Sequence, residues 1–196
     1  GKYGHAAAFG LRSGRQTEYG YQTPVSAMLC NFPRPQNAQE SKLSHSELET
    51  LFHEFGHILH GLLTRAHYAY FSGTSVARDF VEAPSQVLEN WVWEKQSLQR
   101  LSKNSENKPL NEQTIERMNA ARKCASALFY LRQISLARAD LELHNGPPPE
   151  DPMAFINQVV SRIFMPPPEG TNFGAGWGHM VGYASGYYGY AWADVM

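Results

Sequence analysis

The residues best suited to chemistry gather in the run His53-Glu54-Phe55-Gly56-His57, an HExxH spacing. Two histidines four positions apart on an α-helix sit one turn apart and roughly 40° apart around its axis, so both imidazoles can face one metal ion. The glutamate one residue on from the first histidine then lies beside that ion and not on it, placed to take a proton from a water activated there. This is the chemistry of a zinc hydrolase. A plainer reading competes with it, in which His53, His57 and His60 line the polar face of an ordinary helix.

A catalytic zinc takes a third protein ligand and keeps a fourth position for water. The nearest cluster of acids is Asp79, Glu82 and Glu89, spaced by three and seven residues, and all three fit one face of a second helix packed against the first. Glu82 lies between the other two and is the natural ligand, with Asp79 or Glu89 left to orient an imidazole from behind. Spacing alone does not choose among them.

The elements that must carry these residues follow from the pattern around them. Ser44 with Glu47 makes a capping box, and Leu48, Leu51, Phe52, Phe55, Ile58, Leu59 and Leu62 then recur at helical spacing. A second helical stretch runs from Val76 through Phe80, Val87, Leu88 and Trp91 to Leu101, and Pro84 requires it to start near that residue or to kink there. The polar run Ser102 to Asn107 reads as a loop, and Asn111 to His144 holds a helical pattern long enough for two helices. A shorter helix starts at Asp151-Pro152, between two proline clusters. Gly1 to Pro35 alternates small and bulky residues between Gly and Pro, as short strands joined by turns do.

Composition narrows the function classes. Lysine and arginine number 17 against 18 aspartate and glutamate, a formal charge of −1, which excludes the broad positive field of general nucleic-acid or anionic-membrane binding. The only cysteines, Cys30 and Cys124, stand far apart without CxxC spacing, so neither a disulfide framework nor a thiolate metal site is expected. No apolar run approaches the roughly 20 residues that span a bilayer. The chain begins at Gly1 and stops at Met196 within an aromatic-rich segment, and a piece of a longer protein is expected.

The motifs, taken in order, resemble a known family. His53-Glu54-Phe55-Gly56-His57-Ile58-Leu59-His60, Phe71-Ser72-Gly73-Thr74, Asp79-Phe80-Val81-Glu82-Ala83-Pro84-Ser85-Gln86 and Glu89-Asn90-Trp91 look like the catalytic core of the thimet oligopeptidase and neurolysin family. Lys2-Tyr3-Gly4-His5-Ala6-Ala7 with Phe9-Gly10-Leu11, and Leu131-Arg132-Gln133-Ile134, extend the match over nearly the whole chain. The resemblance implies that His53, His57 and Glu82 bind one zinc ion, that Glu54 is the general base, and that substrates are short peptides reaching the site through a deep channel. It also implies a mainly α fold, a helical zincin-like metallopeptidase core with a small antiparallel β segment near the N-terminus, in a single catalytic domain over residues 1–196.

The segment His179-Met180-Val181-Gly182-Tyr183-Ala184-Ser185-Gly186-Tyr187-Tyr188-Gly189-Tyr190 matches the same family, which carries one more residue between the histidine and the first tyrosine. By resemblance, Tyr183 and Tyr190 donate to the transition state or the substrate, His179 is a further catalytic residue, and His179, Gly182 and Tyr187 line the substrate site. Phenols suit that task because they stay protonated near neutral pH and donate without carrying charge. The residues by themselves also allow a structural reading: Gly178, Gly182 and Gly186 recur every four residues, as in a helix packed closely on a neighbour.

The expectation is a zinc metalloendopeptidase cutting internal bonds of short oligopeptides. The alternatives are a peptidyl-dipeptidase or presequence-processing peptidase of the same family, or a non-catalytic zinc- or peptide-binding module. A monomer in a reducing, cytoplasmic compartment is expected, with no nucleic-acid or membrane partner; an organellar address would require a targeting segment upstream of Gly1.

Overall fold

A computed structural model describes residues 4–33 and 42–196. Lys2 and Tyr3 of the opening motif, and Pro35 at the end of the strand-forming segment, lie outside the described residues. The fold is mainly helical with a small antiparallel β segment at the N-terminal end. Contacts divide the chain into two compact units: one extends to Ala77 and resumes over Val81–Arg117, and the other joins Arg78–Phe80 to Met118–Met196.

In the first unit, β1 (Ala7–Arg12) pairs antiparallel with β4 (Val25–Leu29), with a register shift between Gly10 and Arg12. Between them β2 (Arg15–Thr17) and β3 (Gly20–Gln22) form a hairpin whose turn is closed by the Thr17 hydroxyl donating to the Gly20 carbonyl, 2.7 Å away. β1 and β4 lie against α1 (His45–Leu62).

Helix α1 starts where the capping box puts it. The Ser44 hydroxyl accepts from the Glu47 amide at 3.2 Å while the Glu47 carboxylate accepts from the Ser44 amide at 2.7 Å, so two of the otherwise orphaned donors of the first turn are satisfied. The apolar stripe holds only in part. Ile58 is buried, but Phe55 and Leu62 are exposed, and the buried positions also include Glu54 and Gly56. The reason lies opposite Gly56, where the backbone of α3 (Ala83–Glu89) comes so close that a Cβ on Gly56 would stand 2.5 Å from Ser85 Cα and 2.8 Å from the Pro84 carbonyl oxygen.

The second helical stretch divides where proline requires. A short α2 (Arg78–Val81) ends before Glu82, and α3 takes Pro84 into its first turn, where the missing N–H costs no helical hydrogen bond. A 3-10 turn at Asn90–Val92 leads on to α4 (Lys95–Leu101). Val92 and Leu98 are buried, the Val92 carbonyl is hydrogen-bonded to His45 Nε2 at 2.9 Å, and the Trp93 indole donates to Glu49 at 2.8 Å, fastening this segment to the first turns of α1.

The long helical pattern is two helices, α5 (Glu112–Cys124) and α6 (Ser126–His144), parted at Ala125. In the second unit α6 packs on α7 (Pro152–Ile163), whose first amides at Met153 and Ala154 donate to the Asp151 carboxylate at 2.9 and 3.0 Å. Leu136, Ala137 and Ala139 of α6 meet Ile156, Val159 and Val160 of α7, and Trp177 and Tyr187 complete that core. The glycine-spaced tail is not one helix. It consists of α8 (His179–Gly182), a turn in which Ser185 adopts φ 57°, and α9 (Tyr188–Val195), and among the described residues nothing packs where a Cβ on Gly178 or Gly182 would sit.

Gly56 is therefore a packing requirement of α1 on α3. Gly56→Ala forces a methyl group into backbone atoms that cannot rotate away, and about 1–3 kcal/mol of destabilisation is expected in chemical denaturation. Unchanged stability would contradict the close approach.

Candidate metal centre

The helical geometry that puts His53 and His57 one turn apart leaves both rings half-buried on the side of α1 that meets the start of α3. Glu82 occupies the single residue between α2 and α3, in helical conformation with φ −84° and ψ −12°. Because Gly56 lets α3 approach α1 at backbone contact, the buried Glu82 carboxylate reaches both imidazoles: its Oε2 lies 3.3 Å from His53 Nε2 and 3.2 Å from His57 Nε2. The three ligand atoms all fall within 4.8 Å of one another.

This donor set fits zinc. Two imidazole nitrogens and one carboxylate oxygen make up a known type of catalytic zinc site, and bonds of about 2.0–2.2 Å in a tetrahedron set neighbouring ligands about 3.3–3.6 Å apart. The two separations at Glu82 lie at that edge length. Around these ligands stand groups that hold them still. His53 Nδ1 is hydrogen-bonded to Glu89 Oε1 at 2.6 Å, which fixes the ring and turns Nε2 toward Glu82. Ser85, fully buried, donates its hydroxyl to the Glu82 carbonyl at 2.8 Å and stands 3.1 Å from the Glu82 carboxylate, tying side chain and backbone of that residue together.

The electrostatics of the cluster are set by its two carboxylates. Burial disfavours a charge on His53, yet hydrogen bonds to Glu82 and Glu89 and their negative charge outweigh it and raise its pKa to about 10. Burial pushes Glu82 upward too, but hydrogen bonds from His53 and His57 and their charge hold it at about 2. His53 adds stability that is complete below its ordinary 6.5 and is lost as pH rises through about 10. Glu82 adds stability that is complete above its ordinary 4.5 and is lost as pH falls through about 2. Two carboxylates converge here on nitrogen atoms, and a divalent cation satisfies that arrangement without borrowed protons.

Glu54 is buried at 8% exposure beside these ligands, one residue from His53. The remaining acid of the sequence cluster has another partner: Asp79 accepts from the Tyr188 hydroxyl at 3.0 Å. The three acids do not share one helix face, since Asp79 belongs to α2, Glu82 to the break and Glu89 to α3. His60 lines a cavity of about 490 Å³ with Gly56, Leu59, Leu63, Pro84 and Leu88, which none of the three metal-directed side chains borders. Burial, aided by the charge on His57, lowers the His60 pKa.

The tyrosine segment is a cluster of its own within the second unit. His179 Nε2 and the Tyr190 hydroxyl are hydrogen-bonded at 3.1 Å, Tyr183 stacks on Tyr190 with ring centres 5.8 Å apart, and Tyr187 meets Trp177, His179 and Tyr190 at 5.1 to 5.3 Å. Burial raises the Tyr187 phenol above its usual range. Tyr183 donates to the Arg78 carbonyl at 3.2 Å, and Gly182 ends α8 with open space where a side chain would stand. Gly186 lets the turn fold onto the Tyr183 ring, since a Cβ there would lie 2.9 Å from a ring carbon.

Two residues of these clusters take no role from the sequence motifs. Ser85 could have been suspected from its place three residues after Glu82, the spacing at which a hydroxyl returns to the preceding turn. Asp140, inside α6 and fully buried, accepts backbone hydrogen bonds from the turn before α9, a contact across 45 residues that no local pattern announces.

Comparison with known proteins accords with this geometry. The profile of peptidase family M3 matches residues 1–196. The chain is 43% identical to the thimet-like oligopeptidase of Dictyostelium discoideum over 204 aligned positions, which cover all of this chain and 30% of that protein. It is 40% identical to oligopeptidase A of Escherichia coli, covering 93% of the chain and 28% of that protein, and 38% identical to the mitochondrial intermediate peptidase of Arabidopsis thaliana, covering 100% and 28%. The chain thus spans less than a third of the length of these curated relatives. With its whole length matched and the HExxH helix at its centre, the chain belongs to peptidase family M3.

Proposed function

We propose that this chain carries the catalytic centre of a zinc endopeptidase that hydrolyses internal bonds of short peptides. The observation that carries the reading is the convergence of His53, His57 and Glu82 within one ligand sphere, with Glu54 buried beside them. Membership of family M3 and likeness to proteins named oligopeptidases support peptides as the substrate class.

His53, His57 and Glu82 would hold one zinc ion, whose chemistry when bound is Lewis-acid activation of water and of a carbonyl oxygen. Glu54 accepts a proton from the attacking water and returns it to the departing amine nitrogen, so the C–N bond breaks as an amine and not as an amide anion. Its burial keeps bulk water from competing for that proton. Glu89 and Ser85 keep the His53 ring and the Glu82 carboxylate in place. Negative charge gathers on the carbonyl oxygen as water adds, and the phenols of Tyr183 and Tyr190 are the donors assigned to it. Tyr187, Gly182 and His179 are assigned to the peptide itself.

A processing peptidase of the same family is the second reading, favoured by the 38% identity to a protein named mitochondrial intermediate peptidase. Among the described residues no helix is long and apolar enough to cross a membrane.

Glu54→Gln keeps the size and polarity of the side chain but removes the base, so turnover of a quenched peptide should fall by at least about 10²-fold while zinc content stays at one per chain. Retained cleavage in purified Glu54→Gln refutes the assigned base. Glu82→Ala should lose zinc during dialysis, whereas Glu89→Gln should bind it about 10- to 100-fold more weakly. Equal zinc affinity in all three proteins would remove Glu82 from the ligand set.

A further inference from the structure

A buried carboxylate that the proposed reaction does not use lies in the second unit. Asp140 sits in the middle of α6 at 0% exposure, among the apolar residues that pack against α7. Placing a charge there is costly unless every lone pair finds a donor. The donors come from the tyrosine segment: the Ser185 amide donates to Oδ1 at 2.9 Å and the Tyr187 amide donates to Oδ2 at 2.9 Å. His144, one turn along α6, brings Nδ1 to 3.0 Å from Oδ1 and to 2.7 Å from the Asp140 carbonyl.

What the carboxylate holds is an improbable piece of backbone. Ser185 has φ 57°, a left-handed conformation that a residue with a side chain adopts only when its surroundings impose it. The two clamped amides flank Gly186, and Tyr187 is the residue from which α9 starts, so the negative charge also faces the positive end of that helix. The turn sets the spacing between Tyr183 before it and Tyr190 in the first turn of α9, and charge-assisted bonds of this kind are short and directional. A leucine in the same place would fill the core equally well but could not hold the turn.

We propose that Asp140 is a positioning residue for peptide hydrolysis: by clamping the amides of Ser185 and Tyr187 it fixes the turn from which Tyr183 and Tyr190 present their phenols. The inference rests on the reading that these two phenols serve the reaction. Misplacing a catalytic group by about 1 Å can cost about 10²-fold in rate. The effect of losing Asp140 therefore falls on kcat, and it passes through the tyrosines.

The test uses the intact protein that carries this chain, loaded with zinc. Asp140→Asn should lower kcat at least about tenfold with zinc content unchanged. In a Tyr183→Phe/Tyr190→Phe background the same substitution should change kcat less than about twofold, because groups acting as a unit are not additive. Hydrogen exchange at the Ser185 and Tyr187 amides, read in metal-free protein, should quicken in Asp140→Asn. An equal fall in kcat in both backgrounds, or an undiminished kcat in folded Asp140→Asn, overturns the proposal. Exchange that stays slow in Asp140→Asn disproves the clamp itself. Full activity in Tyr183→Phe/Tyr190→Phe disproves the role of the phenols, and with it the catalytic consequence, while the exchange measurement still judges the clamp. Should Asp140→Asn fail to fold, His144→Gln removes one partner from outside the core and should show the same dependence on background with a smaller fall; a fall of equal size in both backgrounds overturns the proposal again.

Discussion

The backbone contact between α1 and α3 at Gly56 is the constraint from which the candidate metal centre follows. Two imidazoles one turn apart can converge on an ion wherever an HExxH helix forms, but the third ligand must come from elsewhere and must arrive at ligand distance. Here it arrives because nothing larger than hydrogen stands between α1 and the Pro84–Ser85 backbone. A methyl group there would push α3 outward, and Glu82, fixed at the start of α3, would move with it. The short break between α2 and α3 does the rest, since Pro84 starts a new helix and Glu82 is left at its entrance with its side chain turned to the histidines.

Charge and packing act together around that contact. Glu82, Glu89 and the two histidines form a chain of partners in which each group orients the next, from Glu89 to His53 to Glu82 and on to His57. Ser85 fixes the far side of Glu82. A half-buried network of this kind is worth its desolvation only when all members are satisfied. Here it is satisfied by protons, with a histidine raised to about 10 and a carboxylate held at about 2. The same atoms are the donors proposed for a cation.

Much of this was legible because it is local. The capping box at Ser44 and Glu47 placed the start of α1, the HExxH spacing placed His53 and His57 one turn apart beside Glu54, and Pro84 announced the helix start that leaves Glu82 facing the histidines. The choice among Asp79, Glu82 and Glu89 was not legible from spacing, since spacings of three and seven assume a continuous helix and the chain breaks between them. The exposed Phe55 and the buried Gly56 reverse the apolar stripe because a helix backbone, not a side-chain layer, covers that face. The tail misled in the same way: glycines every four residues suggest a helix, but the left-handed Ser185 divides it, and the carboxylate that holds Ser185 comes from a helix 45 residues earlier. Pairings of that range leave no mark on local pattern.

In the proposed reading His53, His57 and Glu82 together hold one zinc ion. X-ray absorption at the zinc edge, recorded on the intact protein, reads the ligand shell directly. Two imidazole nitrogens and a carboxylate oxygen are expected at about 2.0–2.2 Å with room for one further light-atom ligand, and His57→Gln should lose one imidazole from the shell. A sulfur shell at about 2.3 Å, or a spectrum unchanged by His57→Gln, would contradict it.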